Sequence, residues 1–406
     1  MLIVSDILDQ ESFAASPLKV VTSCRGRFHI FDQARELARL GVLHRLIADY
    51  PVRHAERFGI PADRVHSLLM QGILNHGYVR SRRFVLAGLQ DRGDEFIHHN
   101  FSRRLPRYIP RDTDFFIGLS SFSLEGLQYC RAKGIRCAVD HGSFHLQASE
   151  PVMREEAQRW GVRAVLPVPA DWVIEKESRE FECADRIHLL SSAARDSFLR
   201  FGVPREKIFI NPCGVDLGAF RPGPKRDEVF RVIQVGGVNL RKGVVTALSA
   251  FADFKVPDAQ MWFVGGTLEG TEIEAVAAKF LSSRVQFVKP VPQFELNGFY
   301  QQSSVFVLAS LEDGFGMVVA QAMACGLPVI VTENVGARDL VQDGVNGFVV
   351  PVGAPGAITE RLRYLYEQPE RRREMGEQAR KTVESGYGWQ DYGVRLVASI
   401  RAQVSA

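Results

Sequence analysis

The chain has 406 residues, 46% of them hydrophobic, with 50 lysines and arginines against 47 aspartates and glutamates. That length supports two to three domains with sizeable cores, and a net charge of +3 is too small to imply a nucleic-acid partner. Six cysteines stand at 24, 130, 137, 183, 213 and 325 with no Cys-x-x-Cys pair, so a zinc site and a disulfide framework are not signalled and a reducing, cytoplasmic setting is expected.

The opening MLIVSDILDQESFAAS has no basic flank before a long apolar stretch, and no later segment holds the roughly 18 apolar residues that span a bilayer. Short apolar runs then alternate with amphipathic stretches, the pattern of strands and helices in parallel sheets. Strands are predicted at 18–23, 44–49, 114–120, 135–140, 186–191 and 207–212. The first leads into CRGRFHIFDQARELARLG (24–41), a glycine loop followed by a helical pattern. The segment 79–111 carries eight arginines against three acids, interleaved with Phe, Tyr and Leu. It suits an anionic membrane surface or a lipid-diphosphate acceptor, and equally a solvated helix face or an oligomer contact.

Inside that segment His98 and His99 lack metal-ligand spacing and read as solvated. Asp112 and Asp114 look like a metal-binding acid pair, but Asp114 directly precedes a strand and so sits at the sheet edge away from ligands. DHGSFHLQASEP (140–151) carries His141 and His145 after a strand. Each is either a structural hydrogen-bonding group or one that faces a ligand, and His145 is favoured because it reaches past the Gly-Ser turn. Pro, Gly and mixed charges in 216–229 mark a linker, which divides 1–220 from 221–387.

In the second half strands are predicted at 230–237, 259–266, 285–290, 305–310, 327–332 and 347–351, enough for a second doubly wound sheet. Gly236 and Gly237 follow the first of these, with Arg241, Lys242 and Gly243 where a helix begins. Two cations there oppose the helix dipole unless an anion lies between them; a bound phosphate would remove the conflict, and a solvated pair is the plain alternative. LEDGFGMVVAQAMACGLPVIV (311–331) places Gly314 and Gly316 before a helix that starts near Met317. Glycines admit close approach and a helix start attracts anions, so a diphosphate fits there. Asp313 would be repelled by a phosphate and is expected to accept hydrogen bonds from an attached polyol, with Gln321 flanking the same ligand. An ordinary strand–turn–helix with a solvated acid pair is the alternative.

These motifs, with NPCGVDLGAFRP (211–222) and VGARDLVQDGVNGFVVP (335–351), resemble the retaining glycosyltransferases of family 4, most specifically over 205–351. The resemblance implies the GT-B fold, two Rossmann-like domains facing across a cleft, with the last helix (388–406) crossing back onto the first domain. It implies transfer of a hexosyl unit from a nucleotide-diphosphate sugar to an acceptor hydroxyl in glycan or glycolipid synthesis, without a metal cofactor, by a cytoplasmic protein with peripheral contact at the inner membrane face. Catalytic roles fall by resemblance on Asp313, Lys242, Arg241 and His145. Donor contacts fall on Gly26, Gly236, Gly237, Val291, Glu312, Gly314, Phe315, Gly316, Met317, Val318 and Gln321, and acceptor contacts on His141 and His145. The family's two glutamates, seven residues apart, are replaced by Asp313 and Gln321, and its frequent arginine in the first glycine loop is Gly237. Two rivals remain open: a GT-B sugar-nucleotide epimerase, and a non-catalytic sugar-nucleotide-binding protein suggested by those replacements. Base, sugar and acceptor are not identified.

Overall fold

The structure, a computed structural model, describes residues 18–81, 87–162 and 169–405. A first parallel sheet contains β1 (Val20–Cys24), β2 (Leu43–Ala48), β3 (Val65–Ser67), β4 (Phe115–Leu119), β5 (Arg136–His141), β6 (Arg186–Leu189) and β7 (Ile208–Ile210), in the order β3-β2-β1-β4-β5-β6-β7. A second contains β8 (Arg231–Val235), β9 (Gln260–Val264), β10 (Val285–Val288), β11 (Val305–Leu308), β12 (Val329–Thr332) and β13 (Gly347–Val350), in the order β10-β9-β8-β11-β12-β13. Helices cover both faces of each sheet, so central strands such as β1, β4 and β8 are buried along their whole length. That is why they read as apolar runs. The strand missing from the sequence reading is β3, three half-buried residues, Val-His-Ser, at a sheet edge, which carry no such run.

In each sheet the strand order reverses once, between β1 and β4 and between β8 and β11. Doubly wound sheets bind ligands beyond the carboxyl ends of the strands at such a reversal. The chain crosses between the sheets twice, and the two crossings lie side by side: Val215 N donates to Tyr387 O at 2.8 Å, and Val215 bridges Gly388. Gly214 is packed so closely there that a Cβ would sit 2.5 Å from the Trp389 backbone.

After the second crossing the helix Trp389–Val404 lies on the helix Ile30–Arg39 of the first sheet's layer. Tyr392 OH donates to Gln33 Oε1 at 2.7 Å, and Arg395 Nε donates to Asn211 Oδ1 at 3.0 Å. Gly393 lets the helices approach, since a Cβ there would sit 2.7 Å from Glu36 Cβ. Among the described residues no helix is long and apolar enough to cross a membrane.

Several histidines are held neutral in the first sheet's layers. Burial lowers His188, whose ring nitrogens both lack partners, to about 4. Burial and then His141 lower His145 to about 4; burial, with Arg25 and Lys176 behind it, lowers His98 to about 3. Because these pKa values lie below the unfolded value of about 6.5, the unfolded chain binds more protons below that pH, and stability falls as acid is added. Each such histidine contributes a slope of about 1.4 kcal/mol per pH unit between its two pKa values. His145→Phe keeps the ring stack against Phe201, whose centroid lies 4.4 Å away, and removes the titration. Its melting temperature is expected to fall less steeply than wild type between pH 6.5 and 4; parallel pH profiles would contradict this.

Candidate active site

The carboxyl ends of the two sheets face each other across a cleft of about 740 Å³. From the first sheet it is lined by Phe28 and His29 after β1, Ser120 and Ser121 after β4, His141 and Gly142 around the end of β5, and Glu177. From the second it is lined by Gly236 after β8, by Lys242 and Asp313, and by Phe315, Gly316, Met317, Val318 and Gln321. Both strand-order reversals therefore open onto one space.

On the second sheet's side, Gly316 adopts φ +81°, a conformation that glycine reaches most easily, and starts the helix Met317–Ala324. The first N–H groups of a helix have no partner within it, and here that end borders the cleft. Lys242 Nζ lies 2.5 Å from Asp313 Oδ2, the two side chains being 17% and 14% exposed. Gln321 Oε1 accepts from Tyr300 OH at 3.2 Å. Arg241 does not line the cleft: its Nη1 lies 3.3 Å from Glu312 O and 3.5 Å from Glu312 Oε2. The cations at the helix start thus meet the acids of the neighbouring loop, and the conflict that the sequence reading resolves with a phosphate is met here within the chain.

Glu312 and Gly314 do something different from the roles expected of them. Glu312 is buried, and its Oε1 accepts from Ser143 Oγ at 2.6 Å and Phe144 N at 3.1 Å, both on the first sheet's side. Gly314 packs on the same turn so tightly that a Cβ would overlap Gly142 O, and its own carbonyl accepts from Ser191 Oγ at 2.8 Å. Asp339 accepts from Ser192 N at 2.6 Å beside them. These residues join the two halves rather than line the cleft. Gly237 and Val291 are also outside the cleft wall, where Gln293 and Leu296 stand instead.

On the first sheet's side, His141 Nε2 lies 3.0 Å from Phe144 O, so that nitrogen carries the proton in the neutral ring and Nδ1 accepts from Ser120 Oγ at 2.9 Å. His145 is not at the cleft. It opens the helix Leu146–Trp160, and its ring is tucked among Phe181, Phe198 and Phe201. Past the Gly-Ser turn the chain goes directly into a helix, which turns that side chain into the layer instead of outward.

The histidine at the cleft that sequence reading passed over is His29, whose Nε2 lies 2.8 Å from the buried Asp140 Oδ1. Burial pulls the His29 pKa down, but the Asp140 carboxylate and its hydrogen bond outweigh this, and the net shift is upward. Ser121, at φ +68°, is held in that conformation from one helix, Asp171–Cys183: its N–H donates to Glu180 Oε2 at 2.6 Å and its hydroxyl donates to Glu177. Two buried glutamates three residues apart were the available signal for this support.

Gly26, at φ +79°, donates its N–H to Asp49 Oδ1 at 2.9 Å and lines an adjoining cavity, not the cleft. His98 is not solvated: its ring stacks on Phe122, 4.1 Å between centroids, while His99 Nδ1 lies 3.6 Å from Glu125 Oε1. Asp112 and Asp114 hold Lys19 at the amino end of β4, away from the cleft. Among the described residues no group of three or more His, Cys, Asp or Glu could hold a metal.

Residues 219–382 match the family model described as "Glycosyl transferases group 1". The putative glycosyltransferase EpsD of Bacillus subtilis is 32% identical over 162 residues, 39% of this chain and 42% of that protein. A D-inositol 3-phosphate glycosyltransferase of Paenarthrobacter aurescens is 27% identical over 248 residues, 57% of this chain and 60% of that protein. The chain thus spans from 42% to 60% of the length of these two relatives. Among solved structures, a sucrose-phosphate synthase from Thermosynechococcus elongatus superposes with a TM-score of 0.72 at 19% identity, covering 96% of this chain and 99% of the other. HepE of Anabaena, solved with UDP and glucose, superposes with a TM-score of 0.65 at 14% identity, covering 95% and 100%. The fold is accordingly GT-B, two parallel-sheet Rossmann-like domains.

The tight seat of Gly314 on Gly142 is open to direct test. Gly314→Ala should destabilise the fold by roughly 1 to 3 kcal/mol through overpacking and widen the separation of the two halves. Thermal unfolding and small-angle scattering measure the two effects; an unchanged melting temperature and radius of gyration would contradict the contact.

Proposed function

We propose that the protein is a glycosyltransferase that moves a hexosyl unit from a nucleotide-diphosphate sugar to an acceptor hydroxyl, with retention at the anomeric carbon and without a metal. The observation that carries the reading is the convergence of Gly236, Lys242, Asp313 and the start of the helix Met317–Ala324 on one cleft, at the strand-order reversal of the half that matches the family model. A donor diphosphate at the helix start would compete with Asp313 for the Lys242 ammonium. Asp313, released, would accept hydrogen bonds from the sugar hydroxyls, and Gln321 from the ribose. The ammonium and the helix N–H groups would then stabilise the charge that grows on the departing diphosphate. From the opposite wall His29, backed by Asp140, and His141 face the space where the acceptor hydroxyl would enter.

The finer reading is synthesis of a surface glycan or glycolipid at the inner face of a membrane. Its support is charge and exposure. The segment 79–111 has eight arginines against three acids in a chain whose net charge is only +3. The helix Leu69–Ser81 before it leaves Met70, Ile73 and Leu74 exposed along one face. Of those arginines, Arg82 and Arg83 lie outside the described residues.

Lys242→Ala should lower turnover about 10- to 100-fold with any good donor, the loss of one charge-assisted contact to the leaving group. Retention of near wild-type turnover would remove the phosphate assignment. Analysis of products from labelled UDP-, GDP- and ADP-sugars separates the readings: a glycoside supports transfer, an epimerised donor supports the epimerase, and an unchanged donor supports a binding protein. Transfer is also expected to survive excess EDTA, and loss of activity restored by magnesium or manganese would overturn the metal-free reading.

A further inference from the structure

Ser120, Ser121 and Ser143 line the cleft from the first half, and their hydroxyl protons go to different groups. Ser121 donates to Glu177 and Ser143 to Glu312, both carboxylates. Ser120 donates to a ring nitrogen, His141 Nδ1, at 2.9 Å. An imidazole ordinarily titrates near 6.5 and a carboxylate near 4, so only the Ser120 proton goes to a base matched to proton transfer at neutral pH. The fold also places this serine at the reacting edge. Ser120 directly follows β4, at the strand-order reversal, and its N–H donates to Asp140 O of β5 at 2.9 Å. The next residue, Ser121, is the one held at φ +68° by Glu177 and Glu180.

His141 Nε2 donates to Phe144 O at 3.0 Å, which leaves the lone pair of Nδ1 for Ser120. The ring is fixed edge-on between Phe181 and Phe198, at 5.7 and 5.1 Å between centroids. A hydroxyl that donates its proton still has two lone pairs, and among the described residues no other group bonds to Ser120 Oγ. Those lone pairs remain for a substrate hydroxyl. Behind the ring, Glu177 Oε2 is buried without a hydrogen-bond partner, 3.8 Å from His141 Nδ1. A buried carboxylate oxygen without a partner is costly, and a positive charge on the ring would offset that cost.

We infer that Ser120 is a catalytic residue that accepts the proton of the attacking hydroxyl and passes its own to His141, with Glu177 as the positioning residue that stabilises the imidazolium. The inference rests on the transferase reading. As the acceptor oxygen forms its bond to the anomeric carbon, the bond from that carbon to the diphosphate oxygen breaks and its electron pair leaves with the diphosphate. The acceptor's proton moves to Ser120 Oγ and the Ser120 proton to His141 Nδ1; after product leaves, the imidazolium returns a proton to Ser120 and Ser120 gives one to water. A diphosphate held by an ammonium and helix N–H groups is a weakened base, which is why the proton takes this route rather than following the leaving group.

The test is single-turnover transfer from labelled UDP-, GDP- and ADP-glucose to octyl glucoside, octyl mannoside and water. Ser120→Ala should slow the step about 100-fold or more, the contribution of a positioned base, with KM and nucleoside diphosphate binding unchanged. Ser120→Thr keeps the hydroxyl and should recover most of the rate. Glu177→Gln keeps an acceptor for the Ser121 hydroxyl, removes the charge beside the ring and should slow the step about tenfold. In mixtures of H₂O and D₂O the wild-type rate should curve with deuterium fraction, since two protons move together, and the Ser120→Ala rate should follow a straight line. Equal rates for wild type and Ser120→Ala, or a straight line for wild type, overturn the relay while leaving the transferase reading in place. A wild type that forms no glycoside and releases no sugar from any of the three donors overturns the transferase reading and the relay with it.

Discussion

The reach of Glu312 from one half of the molecule to the turn after β5 in the other is the constraint on which the cleft depends. Two sheets that each end in a ligand-binding edge form a common site only if those edges are set opposite and held at a fixed separation. A buried carboxylate that accepts a hydroxyl and a backbone N–H does this with direction as well as strength, because both donors sit on one turn. Gly314 and Gly336 complete the join by absence of bulk: a Cβ on Gly314 would overlap Gly142 O across it, and one on Gly336 would overlap Gly314 O and crowd the Ser191 side chain. The shared wall of the cleft, from Ser121 to Met317, is a consequence of this seam.

The same seam explains why the electrostatics of the cleft look nearly neutral. Lys242 is matched by Asp313 and Arg241 by Glu312, so the loop after β11 supplies one acid to the cleft and one to the join. Neither acid is spare. A ligand with a diphosphate would exchange one internal ion pair for another of similar strength, and in such an exchange the gain comes from the extra hydrogen bonds of the helix start more than from the charge of the lysine. The first half is arranged differently: His29 and Glu177 stand in the wall with little exposure, Asp140 and Glu180 are buried behind them, and hydrogen bonds to His29 and Ser121 tie the two layers together.

How much of this is legible in the chain depends on whether the signal is local. Among the described residues, twelve of the thirteen strands follow from apolar runs because both faces of these sheets are covered, and the helix start at Met317 follows from two glycines and an apolar pattern. Gly314 looks like a ligand contact in sequence because close approach to a partner backbone and close approach to a phosphate ask for the same residue, and Glu312 does so because a carboxylate accepts from a sugar hydroxyl as readily as from the Ser143 hydroxyl; only the partners in the other half, Gly142 for the one and Ser143 and Phe144 for the other, tell the two uses apart. His145 fails for a similar reason, since a residue past a turn points outward only if no helix begins there. His29 and Asp140 are 111 positions apart and carry no mutual spacing, and the pair emerges only when β1 and β5 lie in one sheet.

The return of the helix Trp389–Val404 to the first sheet's layer has a consequence for the ribosome-bound chain. Gln33 and Asn211 find their partners in Tyr392 and Arg395, more than 180 positions later than the second of them. The earliest-made half therefore waits, with the outer face of its helix Ile30–Arg39 uncovered, while the whole of the second sheet is synthesised. The second half closes around contiguous residues, so it can be finished first, and the order in which the two halves mature is the reverse of the order in which they are translated.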